Sequence, residues 1–206
     1  MGAKKVNQGV IRTKKALKEA LIAILNEKAL REITITEVVT RAGYTRGTFY
    51  KHYQYKEDLL DEILQETVDG FKKAFEEPYE GKRDHHDMRR LSDSSLKIFQ
   101  YVSEHSAAFS LFLKEKALGF QEKLGETLQE VFHHDYELLF PEIPSHINRE
   151  ILINQNVFAL MGVITYWVQT GYRYSDKYMT EQVLEIARLT YRPDIPSCLG
   201  LKAEIR

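Results

Sequence analysis

Residues 34–56, TITEVVTRAGYTRGTFYKHYQYK, decide the fold of the chain because they predict two short helices joined by a tight turn. Thr34 opens the first helix: Glu37 follows three residues later, which is the spacing of a capping box. The apolar face of this helix is formed by Ile35, Val38 and Val39. Gly43 ends the helix, because glycine adopts the left-handed backbone of a C-cap without steric cost.

The second helix of the pair, TRGTFYKHY, begins at Thr45, whose hydroxyl can cap the helix N-terminus. Phe49 and Tyr53 are four residues apart and share one face, so packing in the core is favoured over an exposed role. Arg46 and Thr48 fall in the first turn and are expected on the surface. Two short helices around a glycine-containing turn, with exposed Arg, Thr and Tyr, are typical of a helix-turn-helix that reads DNA.

At these residues the chain resembles a known family. The run AGYTRGTFY, Ala42–Tyr50, with Lys56 beyond it, is similar to the signature of the tetracycline-repressor (TetR) family of bacterial transcription regulators. The resemblance covers roughly residues 12–60. The chain departs from the usual pattern twice: His52-Tyr53 stands where the family has Tyr-Phe, and Val38-Val39 stands where it has Ile-Ala.

The resemblance implies which residues contact an operator. Phosphate contacts are expected from Thr45, Thr48, Tyr50, His52 and Lys56, and Thr36 at the start of the preceding helix is a further candidate. Arg46 is predicted to read a base, because its fork can donate two hydrogen bonds to guanine. Gly47 lets the helix backbone approach DNA closely. Tyr44 either contacts DNA or packs, and Lys51 is either a contact or solvated surface.

The carboxy-terminal part carries a second resemblance. Residues 166–171, YWVQTG, followed by Tyr174-Ser175 and Met179, are similar to the carboxy-terminal region of a TetR subgroup common in Firmicutes. In the TetR family this part binds a small effector and dimerises. The resemblance therefore implies an all-helical body behind the helix-turn-helix.

Composition is consistent with one or two compact domains. The chain has 206 residues, 43% of them hydrophobic, and a single cysteine, Cys198, which excludes an internal disulfide framework and suits a reducing cytosol. The amino terminus has no apolar signal core, and no run is expected to be long and apolar enough to span a membrane. A cytoplasmic protein without a cofactor is predicted.

Charge is distributed unevenly although the net charge is only −1. Residues 1–56 carry 12 Lys and Arg against 4 Asp and Glu, a balance of +8, and residues 57–206 have a balance of −9. The chain thus has a basic amino-terminal segment, the head (residues 1–56), and an acidic remainder, the body (residues 57–206). This distribution indicates that the head binds a polyanion. The alternative, a solvated basic face without a partner, is less favoured beside a helix-turn-helix.

Hydrophobic periodicity predicts helices along the whole chain and no strand. The predicted helices are residues 12–27, 35–42, 46–52, 56–75, one around 96–102, 107–113, 120–139, 148–171 and 180–191. The predicted division is a DNA-binding domain over residues 1–56, with residues 1–9 as a flexible arm, and a ligand-binding and dimerisation domain over residues 57–206. Residues 81–90 form a polar linker.

The body is predicted to bind an apolar or aromatic effector among seven aromatic residues, Phe99, Phe109, Phe112, Phe132, Phe158, Tyr166 and Trp167. The alternative is that these rings simply fill a helical core, which is favoured for any single residue. The last two long helices are the expected homodimer interface. A metal site is disfavoured, because the adjacent pairs His85-His86 and His133-His134 do not share a helix face.

Three functions follow in order of preference. The first is a ligand-responsive repressor that binds double-stranded DNA. The second is an interaction protein of the same fold that acts as a co-activator without binding DNA. An enzyme comes last, since no phosphate loop, nucleophile elbow or metal dyad is present in the sequence.

Overall fold

The computed structural model describes residues 8–77, 97–115, 118–139, 144 and 146–190. Every regular element within these ranges is helical, which confirms the predicted all-α class. In chain order the helices are α1 Gln8–Leu25, α2 Ile35–Ala42, α3 Arg46–Tyr50, α4 Lys56–Glu76, α5 Ile98–Glu104, α6 Ser106–Lys114, α7 Phe120–His134, α8 Tyr136–Leu139, α9 Arg149–Gln169 and α10 Asp176–Thr190. A short 3-10 helix, Leu30–Glu32, lies between α1 and α2.

Local sequence signals set both ends of α2. The Thr34 hydroxyl accepts a hydrogen bond from the Glu37 backbone N–H, and the Glu37 carboxylate accepts one from the Thr34 backbone N–H, so the predicted capping box is complete. Gly43 closes the helix with φ of 74°, in the left-handed region. The backbone N–H of Tyr44 then reaches the Val39 carbonyl at 2.8 Å, which satisfies an acceptor at the helix end.

Several helix bounds differ from those predicted. α1 begins at Gln8, so the end of the predicted arm is helical, and α3 ends at Tyr50 rather than at residue 52. The predicted helix over 120–139 is two helices, α7 and α8, separated by a turn at Asp135. α10 begins at Asp176, four residues before the predicted start. The linker over 81–90, His85-His86 and Cys198 lie outside the described residues.

The chain divides into two compact units. Unit 1 comprises residues 1–72 and 104–127, and unit 2 comprises residues 73–103 and 128–206. α4 and α7 each continue from one unit into the other. The division into a DNA-binding segment 1–56 and a ligand-binding segment 57–206 concerns function and stays a prediction.

The core of unit 1 is built on the apolar stripe of α1. Leu17 and Leu21 are fully buried, and α1 packs against both α2 and α6. Phe49 of α3 is also fully buried, and its ring lies 5.5 Å from the ring of Tyr53. The predicted core role of Phe49 and Tyr53 is therefore confirmed.

α9 is the longest apolar element of unit 2, and only part of its surface is covered. Its buried residues are Leu152, Ile153, Val157, Leu160, Ile164, Trp167 and Val168. The Trp167 ring nitrogen donates to the Tyr174 carbonyl at 2.9 Å, which fixes the turn into α10. The opposite face leaves Ile151 and Phe158 each 68% exposed and Tyr166 52% exposed. Phe158 and Tyr166 thus lie outside the buried aromatic residues with which the sequence grouped them.

α9 also corrects the expectation about membrane spans. Among the described helices it is the one that is long and apolar enough, by length and composition, to cross a membrane, with 39% of the relevant stretch buried. The core helix of a protein in water passes the same test, so this property alone is weak support for a span. What α9 does establish is an exposed apolar face, which carries Ile151, Phe158 and Tyr166.

Candidate nucleic-acid interface

α3 and the residues around it form the candidate interface. The Thr45 hydroxyl accepts a hydrogen bond from the Thr48 backbone N–H at 3.3 Å and lies 3.1 Å from the Thr48 hydroxyl, so Thr45 is the N-cap of α3. The buried Phe49 ring anchors the inner face of the helix in unit 1. This anchor leaves the opposite face in solvent, where the polar residues of α3 lie.

Arg46 and Tyr50 occupy the outer face of α3 and contact each other. The Arg46 guanidinium donates to the Tyr50 hydroxyl at 3.2 Å and lies 5.9 Å from the centre of its ring. Both residues are exposed, Tyr50 by 50%. The contact leaves the charge of the guanidinium unneutralised, because a neutral phenol is not an anion.

The remaining predicted contacts lie around this pair. Thr36, Gly47 and Lys51 are exposed, and Tyr44, Thr48 and His52 are partly buried. Gly47 has room for a side chain: a Cβ would meet only the Thr45 hydroxyl, at 3.8 Å. Neither a positive φ nor a close neighbour within the chain therefore requires glycine at this position.

Lys56 is placed differently from the expectation. Its ammonium donates to the backbone carbonyls of Leu30 and Ile33, at 2.7 Å each, and reaches that of Arg31 at 3.4 Å. Its side chain is partly buried. These carbonyls engage the N–H donors that a DNA phosphate would use. The phosphate contact of Lys56 stays a prediction.

Ion pairs neutralise much of the basic charge that the sequence assigns to the head. Lys28 pairs with Glu37, Arg41 with Glu27, and Lys14 and Lys18 with acids of α4. Within the described part of the head, the cations without an ion pair include Arg46 and Lys51 at α3. Positive charge thus remains available to an external polyanion at the exposed face of α3.

Glu62 of α4 is the centre of the ion-pair cluster that ties α4 to α1. Its carboxylate lies 2.8 Å from the Lys14 ammonium and 2.6 Å from that of Lys18, which also pairs with Glu66. Burial opposes ionisation of Glu62, but the two lysines outweigh it and lower its pKa to about 2. The same pairing raises the pKa of Lys18 against the effect of burial. The sequence did not single out Glu62, because its partners are more than forty residues away.

The predicted effector residues are distributed over both units. In unit 1 the rings of Phe109 and Phe112 lie 5.4 and 5.2 Å from that of Phe120. In unit 2 the Phe99 ring contacts Trp167 at 5.6 Å. Phe132 in the same unit packs on Phe75 at 5.5 Å. All of these predicted rings are buried, whereas Phe158 and Tyr166 are exposed.

In the described ranges no group of three or more His, Cys, Asp or Glu residues could hold a metal.

Two family models match the chain and together account for both resemblances. Residues 17–63 match the model for bacterial regulatory proteins of the tetR family. Residues 89–189 match a transcriptional regulator C-terminal region. The chain belongs to the TetR family. The TetR match at the amino terminus contains the capped α2, the glycine turn and the exposed face of α3.

The TetR-family relatives are distant in sequence. The HTH-type transcriptional regulator YxbF of Bacillus subtilis is 23% identical over 82% of this chain, but the match spans only 43% of that relative's length. The fatty acid metabolism regulator protein of the same organism is 24% identical over 82% of this chain and 90% of its own length. A TetR/AcrR-family regulator from Aquifex aeolicus has the same fold, with 20% identity, a TM-score of 0.63, and coverage of 87% of this chain and 99% of that one.

Proposed function

We propose that this TetR-family chain is a homodimeric, cytoplasmic repressor that binds a palindromic DNA operator and is released from it by a small-molecule effector. The observation that carries the proposal is the exposed face of α3, where Arg46, Tyr50 and Lys51 lie around a buried Phe49 anchor. A helix held this way can enter the major groove of DNA, with hydroxyls and cations toward the phosphates.

Each proposed contact has a chemical role. Arg46 reads a guanine edge, and the hydroxyl of Tyr50 and the ammonium of Lys51 meet phosphates. Further hydrogen-bond donors to the phosphates of the DNA backbone come from Thr36, Tyr44, Thr45, Thr48 and His52. Gly47 has no side chain, so the backbone of α3 can approach the groove closely at this position. No observation favours the co-activator alternative, which would leave the cations of α3 without a partner.

The experiment is a fluorescence-anisotropy titration with DNA from upstream of the chain's own gene. The unsubstituted protein should bind with an affinity that falls steeply as salt rises. Arg46→Ala should weaken operator binding by about fivefold or more, since a bidentate base contact is worth about 1–3 kcal/mol. Arg173→Ala is the matched control: Arg173 is also exposed and lies 5.7 Å from a tyrosine ring, but in unit 2. Equal losses in the two variants would contradict the proposal.

The homodimer face is proposed on α9 and α10. Ile151, Phe158 and Tyr166 follow one side of α9, and Ile186 and Leu189 are more than half exposed on α10. Apolar side chains at these spacings form a stripe on each helix, which suits a four-helix bundle with a partner's pair. Burial of this stripe in a dimer also accounts for the apolar character of α9 in a protein that works in water.

The dimer is tested by sedimentation equilibrium. Phe158→Asp should produce a monomer, because it would bury a charge in an apolar interface. Tyr55→Asp is the control: it places the same charge on another exposed aromatic position, 58% exposed and in unit 1. A dimer that survives Phe158→Asp would refute this face.

The proposed effector is apolar or aromatic. Support comes from the density of buried rings in both units and from the name of one relative, a fatty acid metabolism regulator. A thermal-shift screen of free fatty acids, acyl thioesters and aromatic acids tests the class, because a ligand of the folded state raises the melting temperature. A compound that stabilises the protein should also release it from its operator.

A further inference from the structure

The ammonium of Lys56 has a complete set of partners within the chain. Lys56 is the first residue of α4, and its nitrogen reaches the carbonyls of Leu30 and Ile33 at 2.7 Å and that of Arg31 at 3.4 Å. A lysine ammonium has three N–H donors, so three carbonyls account for all of them. A phosphate could be bound only by giving up one of these bonds.

The three carbonyls belong to the 3-10 helix that precedes α2 and to the residue after it. Carbonyls at the end of a helical turn carry partial negative charge and attract a cation. Ile33 is 2% exposed, so its carbonyl is held near the interior of unit 1. The ammonium therefore stabilises the connection between α1 and α2, as a cation at the end of the 3-10 helix. It has no acidic partner in the described structure.

The position of the connection gives Lys56 a link to the candidate interface. Ile33 directly precedes Thr34, the N-cap whose capping box with Glu37 starts α2. Thr36 is exposed in the first turn of that helix. The Lys56 ammonium thus fixes where α2 begins relative to the start of α4, and with it the position of the Thr36 hydroxyl.

We propose that Lys56 is a positioning residue for operator binding, which acts through the first turn of α2 and Thr36 and does not itself bind a phosphate. The inference rests on the proposed function, because it assigns a role in DNA binding. It reverses the role that the sequence motif implies for this lysine. The reason is that an interior lysine bound to carbonyls and a surface lysine bound to phosphate look the same in a sequence.

The first test is lysine acetylation of the unsubstituted protein, read by mass spectrometry with and without operator. Lys56 should react at least about tenfold more slowly than Lys51 in the free protein, because its hydrogen bonds to carbonyls must open first. Operator should then protect Lys51 and leave the slow rate at Lys56 unchanged. Rapid labelling of Lys56 in the free protein, followed by protection on the operator, would overturn the inference. If operator fails to protect Lys51, that result counts against the proposed function. The acetylation rate of Lys56 in the free protein would still test its hydrogen bonds to the carbonyls.

The second test separates positioning from direct contact. Lys56→Met should weaken operator binding while the slope of log affinity against log salt stays within about 0.3 of the unsubstituted value, whereas loss of a phosphate contact would reduce the slope by about 0.9. Thr36→Ala should lower operator affinity about fivefold in the unsubstituted protein. In the Lys56→Met variant the same substitution should lower it less than about twofold, because the effects of coupled residues are not additive. Additive losses or a slope change near 0.9 would refute the proposal. The acetylation test uses the unsubstituted chain, so it decides the matter even where Lys56→Met does not fold.

Discussion

Replacement of Glu62 by Gln tests the cluster that holds α4 against α1. The substitution keeps the shape of the side chain but removes the carboxylate that lies within 2.8 Å of both Lys14 and Lys18. The difference between the ordinary pKa of 4.5 and the folded value of about 2 corresponds to at most about 3.4 kcal/mol of stability. Glu62 retains 27% of its side-chain exposure, so solvent screening reduces the expected loss to about 1.5 kcal/mol.

The sign of the pH dependence follows from the lowered pKa of Glu62. A carboxylate whose pKa is depressed by folding stabilises the protein above its unfolded value, near 4.5, and loses that contribution as pH falls through about 2. The difference in unfolding free energy between the unsubstituted protein and Glu62→Gln should therefore be constant from pH 7 to about 5. It should shrink steadily below that and approach zero near pH 2.

The assay is urea denaturation at fixed protein concentration, followed by far-UV circular dichroism. The only tryptophan, Trp167, lies in unit 2, so its fluorescence does not report directly on α1 and α4 of unit 1. Glu19→Gln is the matched control, because Glu19 is 67% exposed and its partner Lys15 is 3.9 Å away. A loss for Glu62→Gln below about 0.3 kcal/mol at pH 7, or one that does not change on acidification, would refute the role assigned to the cluster.

Two glycine substitutions separate folding from DNA binding. Gly47→Ala should leave stability unchanged or raise it by up to about 1 kcal/mol, because alanine favours helix and a Cβ fits at this position. Operator affinity should nevertheless fall. Thermal melting measures the stability and an anisotropy titration the affinity, and an unchanged affinity would contradict close approach of α3 to DNA. Gly43→Ala should destabilise the protein by about 1 kcal/mol in urea denaturation, since an L-residue at φ of 74° is strained even in open space, and an unchanged midpoint would show that the turn relaxes.

The sequence predicted the helix-turn-helix well because its determinants are local. The capping box of Thr34 and Glu37, the left-handed Gly43 and the Thr45 cap all act over three or four residues, a distance at which spacing alone defines the contact. The exposed face of α3 followed from the same spacing, once Phe49 was assigned to the core. These features could be predicted without knowing where the rest of the chain lies.

The features that sequence reasoning missed depend on contacts between distant residues. The acceptors of Lys56 lie 23 to 26 residues earlier in the chain, and nothing in the motif distinguishes a carbonyl from a phosphate as its partner. Phe158 and Tyr166 are predicted as effector contacts together with five other aromatic residues, which the structure shows to be buried. The centre of α9 is apolar nearly all round, so periodicity does not indicate which of its faces is covered. The neutralisation of the basic head was missed for the same reason, since Lys14 and Lys18 pair with acids on α4.

The central claim is that α3 lies in the major groove and that Arg46 reads a base there. The most direct measurement is a binding titration of the unsubstituted protein and of Arg46→Ala against a set of operators, each changed at one base pair. The unsubstituted protein should lose about 1–3 kcal/mol at the base pair that Arg46 reads, and Arg46→Ala should bind that changed operator as well as the original. Equal weakening of Arg46→Ala on every operator, with discrimination retained at all positions, would show that Arg46 contacts only the backbone and would contradict the claim.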